Sequence, residues 1–249
     1  MSISNTINFL ISIFEFWINT SWYIALLMSL VTNLVVFFIA ALCIEWITNR
    51  WVSEDGIFHF IDNKQLSNNQ KRYEIKNGII ACGLFSLVSL LARELFEGVV
   101  PQSWGELLVE VVLFTVFYET YSYFVHRLLH LKPFTQWHGV HHRSHRVTPW
   151  SAYSVHPAEA LLICLSAPLF MLIFPVHLAV IFVFHIFGVA FTMVLHSNVI
   201  LNKRIPLSST FNTYTRGHAA HHHKGNVNFG FVNTFWDSRF KTIYRNENV

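Results

Sequence analysis

The chain reads as an all-α integral membrane protein, a helical bundle of about four to five spans or hairpins under a histidine-rich cytoplasmic cap. Three observations carry this reading. Of the 249 residues, 53% are hydrophobic and 12% charged, where soluble domains carry about 25% charge. Apolar runs near the roughly 20 residues that cross a bilayer recur along the chain. Sixteen of the seventeen Lys and Arg lie on one side of the topology those runs define.

The opening stretch, MSISNTINFLISIFEFW, has no Lys or Arg before its apolar part and no small-residue cleavage site. It is read as retained rather than as a secretory signal. Residues 7–19 are short for a span, so they lie at the interface or extend the next segment. The first span runs from Trp22 to Ile47. A polar surface loop follows, Thr48 to Lys76, then a second span from Asn77 to Phe96. Gly98, Pro101 and Gly105 mark a turn. The third span, Glu106 to Val125, carries Glu110 and Glu119, which should face the protein interior, because an acid against lipid is costly.

The segment His126–Pro157 is polar and rich in histidine. Ala158 to Leu195 is apolar and too long for one span; with Pro168 and Pro175 it fits a hairpin turning near FPVH. The tail from His196 is polar. This topology places the loop 48–76, the segment 126–157 and the tail on one face, with Arg93 alone elsewhere. The positive-inside rule makes that face cytoplasmic. Residues 1–105 are read as N-terminal spans with their cytoplasmic loop, and 106–249 as the catalytic region.

Several classes are set aside by composition. Cys43, Cys82 and Cys164 stand alone in apolar stretches, so neither disulfides nor a thiolate metal site is indicated. No basic run interleaved with aromatics suggests nucleic acid. No haem motif or cysteine set for an iron–sulfur cluster occurs in these residues.

The chemistry resides in histidine. HRLLH holds His126 and His130; HGVHH holds His138, His141 and His142; HAAHH holds His218, His221 and His222. Residues three and four apart share one helical face, so each group aims its imidazoles in one direction. Eight neutral nitrogen donors at a membrane boundary suit two metal ions. Packed there with no shared partner, they would cost desolvation and repel on protonation. Imidazole suits Zn, Cu, Fe and Ni, and a structural zinc needs four ligands, usually with thiolate among them. Oxidising a hydrocarbon needs an oxygen-activating metal such as iron. A zinc metallohydrolase and a non-enzymatic metal-binding membrane protein remain open on composition.

These boxes resemble those of the fatty acid hydroxylase and sterol desaturase superfamily of membrane di-iron enzymes. HRLLH is similar to its first box and WHGVHHRSH to its second. SVHPAEA resembles its HPxE element, and HAAHHHKGNVNFGFVNTFWDSRFKT its third box with the trailing NxG and WD. The match spans roughly residues 110–243. Ser238 and Lys241 depart from the family pattern.

The resemblance implies two iron ions, O2 as co-substrate, a hydrophobic lipid substrate hydroxylated or desaturated in the bilayer, and electrons from a separate cytochrome- or ferredoxin-type protein. It implies the eight box histidines as ligands, together with His196 in VLHSN. His156 of the HPxE element is implied as a ligand or as a partner of one. His145 and His223 extend their boxes by one imidazole each. His177 and His185 are read as structural, and His59 as a loop residue. Metal-bound imidazoles usually donate their second N–H to a carboxylate or carbonyl, so Glu119, Glu159 and Asp237 are the candidate supports. Asn228 and Gly230 are expected to set a turn. Arg143, Arg146, Lys203 and Arg204 would steer an acidic electron carrier or simply follow the topology rule.

Overall fold

The computed structural model describes residues 3–244; Arg245, counted above with the basic tail, lies outside them. Ten α-helices, one 3-10 helix (Pro149–Tyr153) and one two-stranded sheet make up the regular structure of the described chain. Four helices are long and apolar enough to cross a membrane: α2 (Trp22–Trp51), α3 (Gln70–Leu95), α4 (Trp104–Leu129) and α8 (Leu178–Leu195). The protein is an integral membrane helical bundle.

The residues before Trp22 form their own helix, α1 (Ile3–Asn19). It turns back onto α2, where Trp17 Nε1 donates to Ser29 Oγ at 3.0 Å and to the Ala25 carbonyl at 3.1 Å. Arg93, the lone cation off the basic face, caps α1 by donating to the carbonyls of Ile18 and Thr20. Its charge meets the carbonyl-rich helix end, the favourable polarity for a cation.

Helix α2 shows Leu27, Val31, Val35, Ile39 and Leu42 outward at helical spacing, a stripe suited to lipid. Its opposite face packs on α3. Gly78 permits that approach: a Cβ there would stand 2.3 Å from Phe37 Cζ. Phe37 then reaches Trp150 and Tyr153, with ring centroids 5.6 Å away in both cases. The N-terminal spans therefore pack directly on the segment that follows the second histidine box.

The apolar stretch after Pro157 is a hairpin, as expected, but its first limb is broken into α6 (Pro157–Cys164) and α7 (Ser166–Ile173). Pro168 explains the break at Leu165: it has no N–H for the Cys164 carbonyl, and its ring crowds that position. At the turn, Leu178 N and Ala179 N donate to the carbonyls of Gly98 and Val99. Glu110, buried as expected, accepts there from His177 Nδ1 at 2.6 Å and from the His177 amide at 3.1 Å.

Two features depart from the expected organisation. Helix α3 begins at Gln70, inside the region read as a polar loop, because its first two turns are mostly polar residues that continue the helix beyond the apolar run. The same loop also holds a strand, β1 (Phe58–Phe60), paired antiparallel with β2 (Val199–Leu201). His59 lies on this strand, opposite Ile200. Strands of three residues have too short a pattern to read from sequence. Their role is to pin the loop to the chain just after His196.

Candidate metal centre

Helices α4, α5 (Thr135–His142), α8 and α9 (Ser208–Lys224) all end at one place. His126 and His130 close α4, and His138, His141 and His142 occupy α5. His196 caps α8, while His218, His221 and His222 lie in the last two turns of α9. Four helix C-termini, each carrying partial negative charge, thus converge on the imidazoles.

The rings form two groups. In the first, His126, His130, His138, His142 and His221 offer one nitrogen each, all within 4.8 Å of one another. In the second, His141, His196, His218 and His222 do the same. Adjacent histidines 141 and 142 fall in different groups, as do 221 and 222, so the groups share a border. The centroids of His142 and His222 are 4.9 Å apart across it.

The hydrogen bonds decide which nitrogen is bare. His126 Nδ1 donates to the Phe229 carbonyl at 2.8 Å, His196 Nδ1 to Thr192 at 2.7 Å and His221 Nδ1 to Val227 at 2.6 Å. A carbonyl only accepts, so Nδ1 carries the hydrogen in each neutral ring and Nε2 holds a lone pair. Those lone pairs face other imidazoles: His196 Nε2 lies 2.8 Å from His218 Nε2, and His221 Nε2 lies 3.1 Å from His142 Nε2 and 3.3 Å from His130 Nε2. Adjacent ligands at about 2.0–2.1 Å from one ion stand roughly 3 Å apart. Both nitrogens of buried His222, and Nδ1 of His141, have no hydrogen-bond partner. The donor sets fit metal ions.

Burial keeps the rings uncharged. Loss of water, then the neighbouring imidazoles, hold His138, His141, His218, His221 and His222 well below the usual histidine range. Burial likewise pushes His142 and His196 down to about 4. At pH 7 these nitrogens are available as ligands.

The supporting residues divide. Glu159 Oε1 accepts from His138 Nδ1 at 2.8 Å, the carboxylate–imidazole contact expected of it. Asp237 touches no histidine. It accepts from the amides of Phe229 and Gly230 at 2.9 and 2.8 Å, and so holds the carbonyl that orients His126. Glu119 touches no histidine either; it accepts from the Asn233 side chain and amide at 2.7 and 3.2 Å, anchoring the loop beyond the third box. A Cβ on Gly230 would stand 2.4 Å from the Asn233 carbonyl, which accounts for glycine there. Asn228 bridges Gly217 and Tyr244.

His156 lies outside both groups. Its Nδ1 accepts from the Ala158 amide at 3.1 Å as the N-cap of α6, because Pro157 starts that helix and leaves the next amide free. His145 and His223 are exposed and join neither group. Glu106, Glu110 and His177 form a third acid–imidazole group, in which the ring is already taken by Glu110.

Sequence reasoning missed the backbone carbonyls of Thr192, Val227 and Phe229. Thr192 stands four residues before His196 on one helix, a spacing that could have flagged it. It also missed buried Glu74, which accepts from Ser144 Oγ at 2.7 Å and Thr148 Oγ1 at 2.5 Å and ties α3 to the second box.

A cavity of about 520 Å³ opens against this centre. His126, His138, His141 and His196 form one part of its wall, and apolar side chains such as Leu10, Phe14, Phe114 and Val189 line much of the rest. Two histidine clusters that could each hold a metal ion, facing an apolar cavity in a membrane helical bundle, define the class of protein. Residues 111–242, more than half the chain, match the fatty acid hydroxylase family, and the chain belongs to that family. It is 28% identical over 186 residues to lathosterol oxidase of Homo sapiens, covering 70% of this chain and 61% of that protein. It is also 28% identical over 133 residues to the Delta(7)-sterol 5(6)-desaturase of Saccharomyces cerevisiae, covering 53% of this chain and 35% of that one. The chain therefore spans between about a third and three fifths of these relatives. No solved structure matches it.

Proposed function

We propose that the protein is a membrane di-iron oxidoreductase that hydroxylates or desaturates a lipid with O2 and electrons from a separate donor protein. The observation that carries this reading is the pair of histidine groups, five and four rings, in contact with an apolar cavity. Family membership and the names of the relatives, an oxidase and a desaturase, support it.

His126, His130, His138, His142 and His221 would hold one iron, and His141, His196, His218 and His222 the other. Iron bound there supplies the oxygen activation that no side chain can. The chain's own residues do the rest. The cavity removes the substrate tail from lipid and fixes which carbon lies under His138, His141 and His196. Glu159 and the three carbonyls hold the ring tautomers of His138, His126, His196 and His221, so their Nε2 atoms face inward. Four helix C-termini favour the positive charge of the ions. The apolar wall excludes water from the reacting carbon.

The basic face, with Arg143, Arg146, Lys203 and Arg204, would lie in the cytoplasm and meet an electron carrier of the cytochrome or ferredoxin type. Lipid mass spectrometry of cells with and without the protein tests the reading. A lipid that gains one oxygen, or loses two hydrogens, is expected; His141→Ala should abolish this while the protein stays in the membrane. Unchanged lipids under aerobic conditions with reductant, or hydrolysis by a zinc-loaded protein, would overturn it.

A further inference from the structure

The cavity has a second polar region, inside the bilayer and away from the metal centre. His185 lies in the middle of α8, eleven residues before His196, which at about 1.5 Å per residue is roughly 16 Å along the axis. Its Nε2 lies 3.0 Å from Asn33 Oδ1 on α2. Asn33 Nδ2 meets the Ser29 carbonyl at 2.9 Å and Ser86 Oγ at 3.1 Å. Ser89 Oγ adds a contact to Ser29 Oγ at 3.0 Å. Polar groups at this depth are costly and mark function more often than chance.

The protons of this cluster are determined by its acceptors. The Ser29 carbonyl can only accept, so Asn33 must turn its amide nitrogen toward it and present Oδ1 to His185. His185 therefore donates from Nε2, and its neutral ring keeps a lone pair on Nδ1. No hydrogen bond reaches that Nδ1 among the described residues, and it is not among the side-chain atoms sealed from all access. His185, Asn33, Ser29 and Ser89 all line the same cavity as the metal-centre histidines. A clamp that served only to join helices would not need a cavity-lining ring with an unused acceptor.

We infer that this cluster is a recognition site for a hydroxyl on the substrate, with His185 Nδ1 accepting its proton in a hydrogen bond. The substrate class is thus an amphiphile whose hydroxyl stands roughly 16 Å, by the helical rise, from the carbon presented to the metals. The inference rests on the proposed oxidoreductase reading only for what happens at the other end of the cavity.

The test uses metal-free protein in lipid nanodiscs and three radiolabelled probes: hexadecanol, its methyl ether and hexadecane. Wild type should retain hexadecanol about fivefold better than the ether or the alkane, the size of one net hydrogen bond. His185→Phe, which keeps an aromatic ring but no acceptor, should retain all three alike. Equal retention of alcohol and ether by wild type would overturn the inference, and needs no variant to fold. So would an unchanged alcohol preference in His185→Phe. Since no iron is present, alcohol preference in a protein that then oxidises nothing when loaded would sink the catalytic reading and leave this one standing.

Discussion

His138 stands between Glu159 and His126. Its Nδ1 is 2.8 Å from Glu159 Oε1 and its Nε2 is 3.1 Å from His126 Nε2, with all three residues buried. One ring thereby links a carboxylate on the apolar hairpin to the first histidine group.

That link predicts the effect of Glu159→Gln. The amide oxygen preserves the hydrogen bond's reach but can never ionise as a carboxyl can, so it supports His138 less strongly as a ligand. Iron affinity should fall about 10- to 100-fold, the usual cost of losing such a support. Iron retention against a competing chelator measures it; wild-type retention would refute the role given to Glu159.

Asp237→Asn should act differently. Asp237 is 1% exposed and accepts two backbone amides and Thr242 Oγ1. An asparagine oxygen can replace one acceptor but its NH2 faces a donor. The expected cost is about 1–3 kcal/mol of stability, with His126 loosened through Phe229. Thermal unfolding shows it, and an unchanged midpoint would count against it.

Gly230→Ala should disturb the same loop by crowding alone. Its Cβ would meet the Asn233 carbonyl at 2.4 Å. The expected loss is about 1–3 kcal/mol, as for other overpacked sites. Thermal unfolding of the single variant decides this.

Acid should destabilise the metal-free protein. An unfolded histidine titrates near 6.5, whereas His142 and His196 are held at about 4 in the fold. Between those values the unfolded chain takes up protons that the folded chain does not, so stability falls as pH falls through that window and is full above it. Unfolding midpoints measured from about pH 7 down to about pH 5 should therefore drop steadily. Bound metal should leave over the same range, since protons compete for the same nitrogens. A flat profile would show that the cap imidazoles are not buried neutral.

Much of this was legible in sequence. The spans were readable because apolar length is a bulk property that tolerates substitution. The boxes were readable because histidines three and four apart need a helix face and nothing else to point together. What lay beyond reach involved distant partners. No local pattern says that the Phe229 carbonyl meets His126, or that Asp237 acts through that carbonyl instead of on a ring. The cap role of His156 is of the same kind: the Pro157 that follows it starts a helix, and the His156 Nδ1 lone pair accepts from the Ala158 amide. Nor does any local pattern pair His185 with Asn33, 152 residues away.

The most direct test of the central claim is iron stoichiometry in protein purified without oxygen and reconstituted with Fe(II). Two groups of imidazoles predict two iron ions per chain, with His222→Ala lowering the count toward one by opening the four-ring group. One ion or none in wild type, or two ions unaffected by His222→Ala, would contradict the account.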